Sequence, residues 1–282
     1  MSRKKTTIAV VAPGGPIKPE TAERVRAIAA RLYPDGWVEL RVHPQCFLAA
    51  GHFAGDDAAR SAAFLEAAND PLVDAVWFAR GGYGACRLAD DVYAKLNDAA
   101  RKKAYLGYSD AGVVLARLYR EGIGAPAHGP MVADIEREGG EAAIARALSW
   151  LVARDPAGLE PSVRAGEKCA AFNITILSHI LGTSALPDLS HHVLMLEEVA
   201  EYMYRIDRSF FQITSHPDLR NVAGVRLGRC SEIPENDPDF GQTEEEVAQY
   251  WCARNGIAWL GRADIGHDAD NKIVPFGAPA SA

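Results

Sequence analysis

The chain has 282 residues, of which 48% are hydrophobic and 24% are charged, and its formal net charge is −7. These proportions are those of an ordinary globular protein, so they exclude a fibre and a disordered chain. An acidic surface without a block of like charges does not attract phosphate backbones or anionic lipid, and no apolar stretch reaches the length of a membrane span. We therefore expect neither a nucleic acid nor a membrane as a partner.

The N-terminal segment and the cysteines indicate a compartment. Basic residues precede the apolar run Ile8–Ala12, but that run is shorter than the apolar part of a signal peptide and ends at Pro13 and Gly14, as a strand would. The five cysteines are an odd number without C-x-x-C spacing, which favours reduced thiols over a disulfide framework. We expect a cytoplasmic protein.

Short apolar runs rich in β-formers alternate with helical spacing through the first half. We predict strands at Thr7–Ala12, Val38–Val42, Ala75–Ala79 and Ala104–Gly107, and helices at Glu20–Leu32, Ala59–Ala68, Cys86–Ala99 and Ala111–Tyr119. Such alternation predicts an α/β fold in three layers, with a parallel sheet between two layers of helices. The functional crevice of such a sheet lies beyond the carboxyl ends of its strands.

The second half has a more mixed pattern. After a helix at Glu141–Ala153 comes the polar stretch Arg154–Gly158, a candidate domain boundary. Beyond it we predict helices at Asn173–Leu181, Tyr204–Thr214 and Thr243–Asn255, and strands at Val193–Leu196, Val222–Leu227, Ile257–Ile265 and Ile273–Phe276. We expect an N-terminal domain at 1–140, a linker helix and connection at 141–165, and a C-terminal domain at 166–282.

Three predicted strands of the first half end in unusual turns, which should converge at one edge of the sheet. These turns are Ala12–Pro16, Arg80–Gly84 and Gly107–Asp110. In the last of them, Ser109 stands between a buried strand and a helix. A serine in that position projects its hydroxyl away from the sheet, next to backbone N–H groups that can hold an oxyanion. Ser109 is therefore a candidate nucleophile, although a simple helix cap explains the same residue.

The glycines at 81 and 82 allow a backbone N–H to approach a ligand closely, which makes Gly82 a candidate oxyanion donor. A plain turn or a phosphate-binding loop are the alternatives, but the glycine spacing matches neither common phosphate motif.

A hydroxyl nucleophile needs a base, and the base needs an orienting acid. Among eight histidines, His267 and His128 are the two candidate bases. Glu197 and Glu198 end an apolar strand, and because adjacent strand residues point to opposite faces, only one of them can face the crevice. The residues alone decide neither choice, and ordinary surface acids are an equally good interpretation of the two glutamates.

A metal site is a further interpretation, using Asp264, His267, Asp268 and Asp270. Their spacing matches neither an EF-hand nor a zinc pattern, so we predict no metal and no cofactor.

Nine short segments, in order along nearly the whole chain, together resemble the LD-carboxypeptidase family of serine peptidases. They are Ala12–Pro16, Ala79–Gly84, Gly107–Asp110, His128–Met131, Leu181–Thr183, Leu194–Glu198, Tyr204–Arg208, Gly266–His267 and Pro275–Gly277. None is specific alone, and the resemblance comes from their common order.

The resemblance implies a catalytic triad of Ser109, Glu197 and His267, and an oxyanion hole formed by the N–H groups of Asp110 and Gly82. It implies an N-terminal parallel α/β domain and a C-terminal α/β domain with a small β-barrel-like sheet that supplies Glu197 and His267. Members of the family are often dimers, so a homodimer is expected.

The implied activity is hydrolysis of an L,D-peptide bond near a free C-terminus, as when D-Ala is released from the murein tetrapeptide in cell-wall recycling. The partner is then a small peptide substrate whose carboxylate must be bound, and Arg80 and Arg205 are both candidates for that contact. Two alternatives stay open. The same triad could cleave peptide–nucleotide antibiotic conjugates and give self-immunity, or the chain could be a catalytically silent binding module.

Overall fold

The alternation of apolar strands and helices in the first half builds a parallel sheet. The computed structural model describes residues 5–279. Its first half contains the strands β1 (Thr6–Val11), β2 (Val38–Val42), β3 (Ala75–Phe78), β4 (Ala104–Gly107) and β5 (Ala125–His128), and the helices α1 (Pro19–Leu32), α2 (Asp57–Asn69), α3 (Asp91–Ala94), α4 (Gly112–Arg120) and α5 (Gly140–Ala153). These five strands are parallel, in the order β5-β4-β3-β1-β2.

A second, four-stranded parallel sheet occupies the second half, in the order β6-β7-β8-β9. The elements here are β6 (Cys169–Asn173), α6 (Ile174–Ile180), β7 (Val193–Val199), α7 (Met203–Ser215), β8 (Gly224–Ser231), α8 (Glu244–Asn255), β9 (Trp259–Arg262) and β10 (Val274–Pro275). The last strand, β10, returns to the first sheet and pairs antiparallel with β5. Short 3₁₀ turns connect elements in both halves, at Pro34–Gly36, Pro44–Phe47, Ala85–Arg87, Ala100–Lys102, Ser109–Ala111, Val132–Glu136, Pro156–Gly158 and Pro217–Leu219.

Strand β3 shows how the first sheet is packed. Its residues are buried on both faces, and successive side chains point to opposite sides. Val76 and Phe78 join an apolar cluster that includes α2 and α4, whereas Trp77 joins a second cluster that includes α1 and α5. The first cluster continues into α6, β7, α7 and α8, so that the second half packs on the α4 side of the sheet.

These observations confirm the predicted fold class, with helices on both faces of a mostly parallel first sheet and a small second sheet. Two strands, β5 and β6, were not predicted. The predicted helix Cys86–Ala99 is wrong, because only the 3₁₀ turn Ala85–Arg87 and the single turn α3 form there. The side chain of Asn69 accepts from the Asn97 N–H and donates to the Lys95 carbonyl, so these backbone groups bond outside a helix.

Arg3 and Lys4 of the N-terminal segment, and the outer ends of both predicted domains, lie outside the described residues. The division of the chain at residues 140 and 166 stays a prediction. Within residues 5–279, no helix is both long enough and apolar enough to cross a bilayer.

Candidate active site

Three side chains from distant parts of the sequence form a chain of hydrogen bonds. The Nε2 atom of His267 lies 3.0 Å from the Ser109 hydroxyl oxygen, and its Nδ1 atom lies 2.5 Å from a carboxylate oxygen of Glu197. Glu197 is 0% exposed and His267 is 8% exposed. A buried carboxylate, imidazole and hydroxyl in this order can move a proton from the hydroxyl to the imidazole.

Ser109 lies in a sharp turn between β4 and α4. Its φ is +58°, in the left-handed region that residues with a side chain rarely adopt. Such a conformation costs on the order of 1–3 kcal/mol and is common at functional sites. A Cβ at Gly107 would lie 2.7 Å from the ring of Phe78, and one at Gly81 would lie 3.0 Å from the Ser109 hydroxyl. Gly107 is therefore needed for the Ser109 turn to pack against Phe78, and Gly81 is needed for the glycine-rich turn to pack against Ser109.

The two glutamates of β7 have different environments. Glu197 bonds to His267, whereas Glu198 accepts hydrogen bonds from the Asn173 amide and from the N–H and hydroxyl of Thr175 at the start of α6. Burial raises the pKa of Glu198, and the bonds from Thr175 and Asn173 only partly oppose this effect. Of the two acids, only Glu197 reaches the histidine, as the alternation of side chains along a strand requires.

The loop that carries His267 is held by Arg229 of β8. The guanidinium of Arg229 bonds to both Asp264 and Asp268, with Nη1 2.6 Å from an Asp264 oxygen and Nη2 2.9 Å from an Asp268 oxygen. These two acids were half of the candidate metal site, and the structure pairs them with a cation instead. In the part of the chain that the structure describes, no group of three or more His, Cys, Asp or Glu residues is placed to hold a metal ion.

The two candidate bases differ in their surroundings. Burial lowers the pKa of His128 to about 4, and its Nε2 atom lies 3.0 Å from the Asn271 side-chain oxygen. Burial also acts to lower the pKa of His267, but the charge and hydrogen bond of Glu197 outweigh it and hold that pKa above its ordinary value. Only His267 contacts Ser109.

The glycine-rich turn lies directly beside Ser109. Gly82 has a φ of +78° and is exposed, and Gly15 donates its N–H to the Gly81 carbonyl at 3.1 Å. The Asp110 carboxylate accepts the N–H of Ala85 at 2.6 Å, so the two turns are joined. The structure therefore brings Gly82 and Asp110 to the same edge of the sheet as Ser109, as the strand-end rule predicts.

Sequence reasoning missed several supporting residues. The ring of Tyr108 lies 4.9 Å from that of His267, and its hydroxyl donates to Asp134 at 2.8 Å. Asp134 also accepts from the N–H of Met131 and from Nε of Arg137. Tyr108 and Met131 belong to segments that carry the family resemblance, but nothing in the local pattern indicates Asp134 or Arg229.

A cavity of about 480 Å³ opens beside Asp110. Its walls are mostly apolar and include Leu88, Tyr93, Val113, Ile176 and Ile180. Tyr83 and Ala85, from the glycine-rich turn and its continuation, line it as well. A cavity of this size can take part of a small-molecule ligand.

Comparison with known proteins identifies the family that this chain matches. The profile of the LD-carboxypeptidase N-terminal domain matches residues 8–129, and that of the LD-carboxypeptidase C-terminal domain matches residues 169–281. A protein of Synechocystis sp., provisionally named a carboxypeptidase, is 34% identical over 236 residues, which are 82% of this chain and 76% of the relative.

Solved structures share the whole architecture. A muramoyltetrapeptide carboxypeptidase from Oxalobacter formigenes superimposes with a TM-score of 0.80 at 26% identity, covering 96% of this chain and 93% of the other. The microcin C7 self-immunity protein MccF, solved in complex with aspartyl sulfamoyl adenosine, gives a TM-score of 0.76 at 17% identity, covering 99% of this chain and 98% of the other. The second likeness shows the fold alone.

Proposed function

The chain belongs to the LD-carboxypeptidase family of peptidases, and from that premise we propose that it is a serine carboxypeptidase. The bond it cleaves is an L,D-peptide bond next to a free C-terminus, as in the release of D-Ala from murein tetrapeptide during cell-wall recycling. The observation that carries the proposal is the hydrogen-bonded chain from Ser109 through His267 to Glu197.

The mechanism is acyl transfer to water. His267, oriented by Glu197, takes the proton of Ser109 as the hydroxyl oxygen attacks the scissile carbonyl. The N–H groups of Gly82 and Asp110 hold the oxyanion of the tetrahedral intermediate, an interaction commonly worth about 3–4 kcal/mol per donor. His267 then protonates the leaving amine, and a water molecule, activated by the same imidazole, hydrolyses the acyl-enzyme.

Two compounds, tested in parallel, show which class of substrate the protein cleaves. Purified protein is incubated with murein tetrapeptide and, separately, with a peptidyl-adenylate, and the products are scored by mass spectrometry. We expect D-Ala from the tetrapeptide. Cleavage of the adenylate alone would replace the recycling role with the self-immunity alternative. If neither compound is cleaved and a serine-directed fluorophosphonate fails to label Ser109, the chain is a binding module.

The substrate carboxylate needs a cation at the site, and the two candidates differ in what they already bind. Arg205 bonds to the Tyr204 hydroxyl at 3.1 Å and lies 3.5 Å from a Glu201 oxygen. Arg80 is exposed and directly precedes Gly81, where an added Cβ would lie 3.0 Å from the Ser109 hydroxyl. We propose Arg80 for the carboxylate, because Arg205 is engaged by its own helix and its neighbours.

The Arg80→Ala variant tests that contact, with Arg205→Ala as its matched control. Loss of a charged hydrogen bond costs about 1.5–3 kcal/mol, so we expect R80A to raise KM for a peptide with a free carboxylate by roughly tenfold to a hundredfold. The R205A variant should keep the wild-type KM. If R80A raises KM equally for the same peptide with a C-terminal amide, Arg80 does not bind the substrate carboxylate.

The pH dependence distinguishes the two histidines. The general base works only when it is neutral, so kcat/KM falls as the pH drops through its pKa. Since Glu197 holds the pKa of His267 above the ordinary value, the acid limb of the profile should lie above that value. An acid limb near pH 4 would instead match the pKa of His128, and would contradict the assignment of His267. The measurement is kcat/KM across the pH range in which the protein stays folded.

A further inference from the structure

The side chains of a buried arginine and a buried aspartate beside the site have no role in the mechanism above, which uses only the backbone N–H of the aspartate. Arg60 of α2 is 1% exposed, and Asp110 is 6% exposed. Taking a charged side chain out of water is costly unless the charge is paired and hydrogen-bonded. Asp57 supplies the ion pair for Arg60, and the remaining partners of the two side chains indicate what their burial achieves.

Both side chains bond to a single peptide group. The Arg60 Nη1 atom donates to the Gly84 carbonyl at 2.7 Å, and an Asp110 oxygen accepts the Ala85 N–H at 2.6 Å. That carbonyl and that N–H belong to the same peptide unit, between Gly84 and Ala85. A cation thus lies at its negative end and an anion at its positive end, so both contacts favour one orientation of this peptide.

The same arginine reaches a second turn. Arg60 Nη1 also donates to the carbonyl of Pro13, in the turn that follows β1. The turns after β1, β3 and β4 are therefore connected through two buried side chains, Arg60 and Asp110. These are the three strand-end turns whose convergence the sequence predicts.

The peptide held in this way lies in a turn that needs external support. Gly82 and Gly84 have φ values of +78° and +141°, which glycine adopts readily but does not enforce. A Cβ at Gly84 would lie 3.0 Å from Nη1 of Arg60, so a side chain at that position would disturb the contact. Contacts from outside must therefore fix the position of the turn, and with it the Gly82 N–H.

We infer that Arg60 and Asp110 are positioning residues that clamp the Gly84–Ala85 peptide and so fix the spacing of the two oxyanion donors, the N–H groups of Gly82 and Asp110. This inference rests on the proposed function, in which the N–H groups of Gly82 and Asp110 bind the oxyanion. On this inference neither side chain acts on the substrate directly. They act through the turn, and their loss should affect the charged transition state more than substrate binding.

The test uses the rate of labelling by a fluorophosphonate, whose reaction with serine builds negative charge on an oxygen as acyl transfer does. We expect wild-type protein to be labelled at Ser109, and Asp110→Ala and Arg60→Met to be labelled about tenfold to a hundredfold more slowly, as expected for a displaced donor. Asp110→Asn keeps one acceptor oxygen and should recover part of the loss. With peptide substrate, the same variants should lower kcat and leave KM within about twofold.

Lys103→Met is the matched control. Lys103 is also a buried cation that donates to backbone carbonyls, those of Asp70 and Val73, but it lies immediately before β4 and away from the site. The K103M variant should lose stability and keep the wild-type labelling rate.

The outcomes distinguish failure of the proposed function from failure of the proposed clamp. If wild-type protein is not labelled at Ser109, the proposed function is wrong. If wild-type protein is labelled and folded D110A and R60M react at the same rate as K103M, the clamp is wrong. Where R60M does not fold, Arg60→Lys and D110N, with their milder changes, give the same comparison.

Discussion

Replacing Ser109 with alanine should abolish peptide hydrolysis while leaving the fold and substrate binding intact. The substitution removes one oxygen atom, and the turn around it is held by contacts that do not involve the hydroxyl, such as the Asp110 bond to Ala85. Loss of the nucleophile from a serine triad costs on the order of 10⁶ in kcat, and what remains comes from the oxyanion donors and from binding. Turnover should therefore fall below detection in most assays.

The measurement combines turnover, substrate affinity and unfolding temperature. Because Ser109 has a positive φ, alanine keeps the same backbone cost and the unfolding temperature should change little. Ser184→Ala, at an exposed serine on the rim of the neighbouring cavity, is the control for a general effect of serine removal. Near wild-type turnover in purified S109A protein would rule out Ser109 as the nucleophile.

The first half of the fold follows from local pattern to a large extent. Buried β-rich runs and helical spacing placed β1, β2, β3 and β4, and the topology of parallel sheets then placed the strand-end turns at one edge. That reasoning needs only neighbouring residues and one general rule, and it predicts that Gly82 and Ser109 lie at the same edge of the sheet.

The choice of histidine and glutamate required more than local pattern. Ser109 and His267 are 158 positions apart, and no periodicity connects them. The choice between Glu197 and Glu198 depends on which face of β7 points to the histidine, which is decided by packing of the second sheet. The family resemblance selected the pair that the structure brings into contact, and the residues alone left both choices open.

Arg60 shows what sequence reasoning misses for a physical reason. An arginine in an amphipathic helix ordinarily faces solvent, and the helix pattern of α2 gives no sign of the contrary. Only the approach of the turns after β1 and β3 gives its guanidinium two backbone carbonyls to bind in the interior. Buried charged residues of this kind are identified from tertiary contacts, not from the helix that carries them.

Glu197→Gln should lower kcat by roughly a thousandfold to ten-thousandfold, the second largest effect expected for a single substitution in this chain. Glutamine keeps the size of the side chain but removes the charge that holds the His267 ring in the tautomer with its proton on Nδ1. The charge of Glu197 also raises the pKa of His267, so its removal should move the acid limb of the kcat/KM profile to lower pH. Both kcat and the position of that limb are measured on the same protein.

Glu198→Gln is the matched control, since it makes the same chemical change at the next residue of the same buried strand. Glu198 caps the start of α6 through Thr175 and does not contact His267, so E198Q should keep kcat within about threefold. Its charge also raises the pKa of His267, but less than Glu197 does, so the acid limb should move to lower pH by less in E198Q than in E197Q. A purely structural role for both acids would make the two variants alike in kcat once each is folded. Equal losses in E197Q and E198Q, with no movement of the acid limb in either, would therefore show that Glu197 does not orient the base.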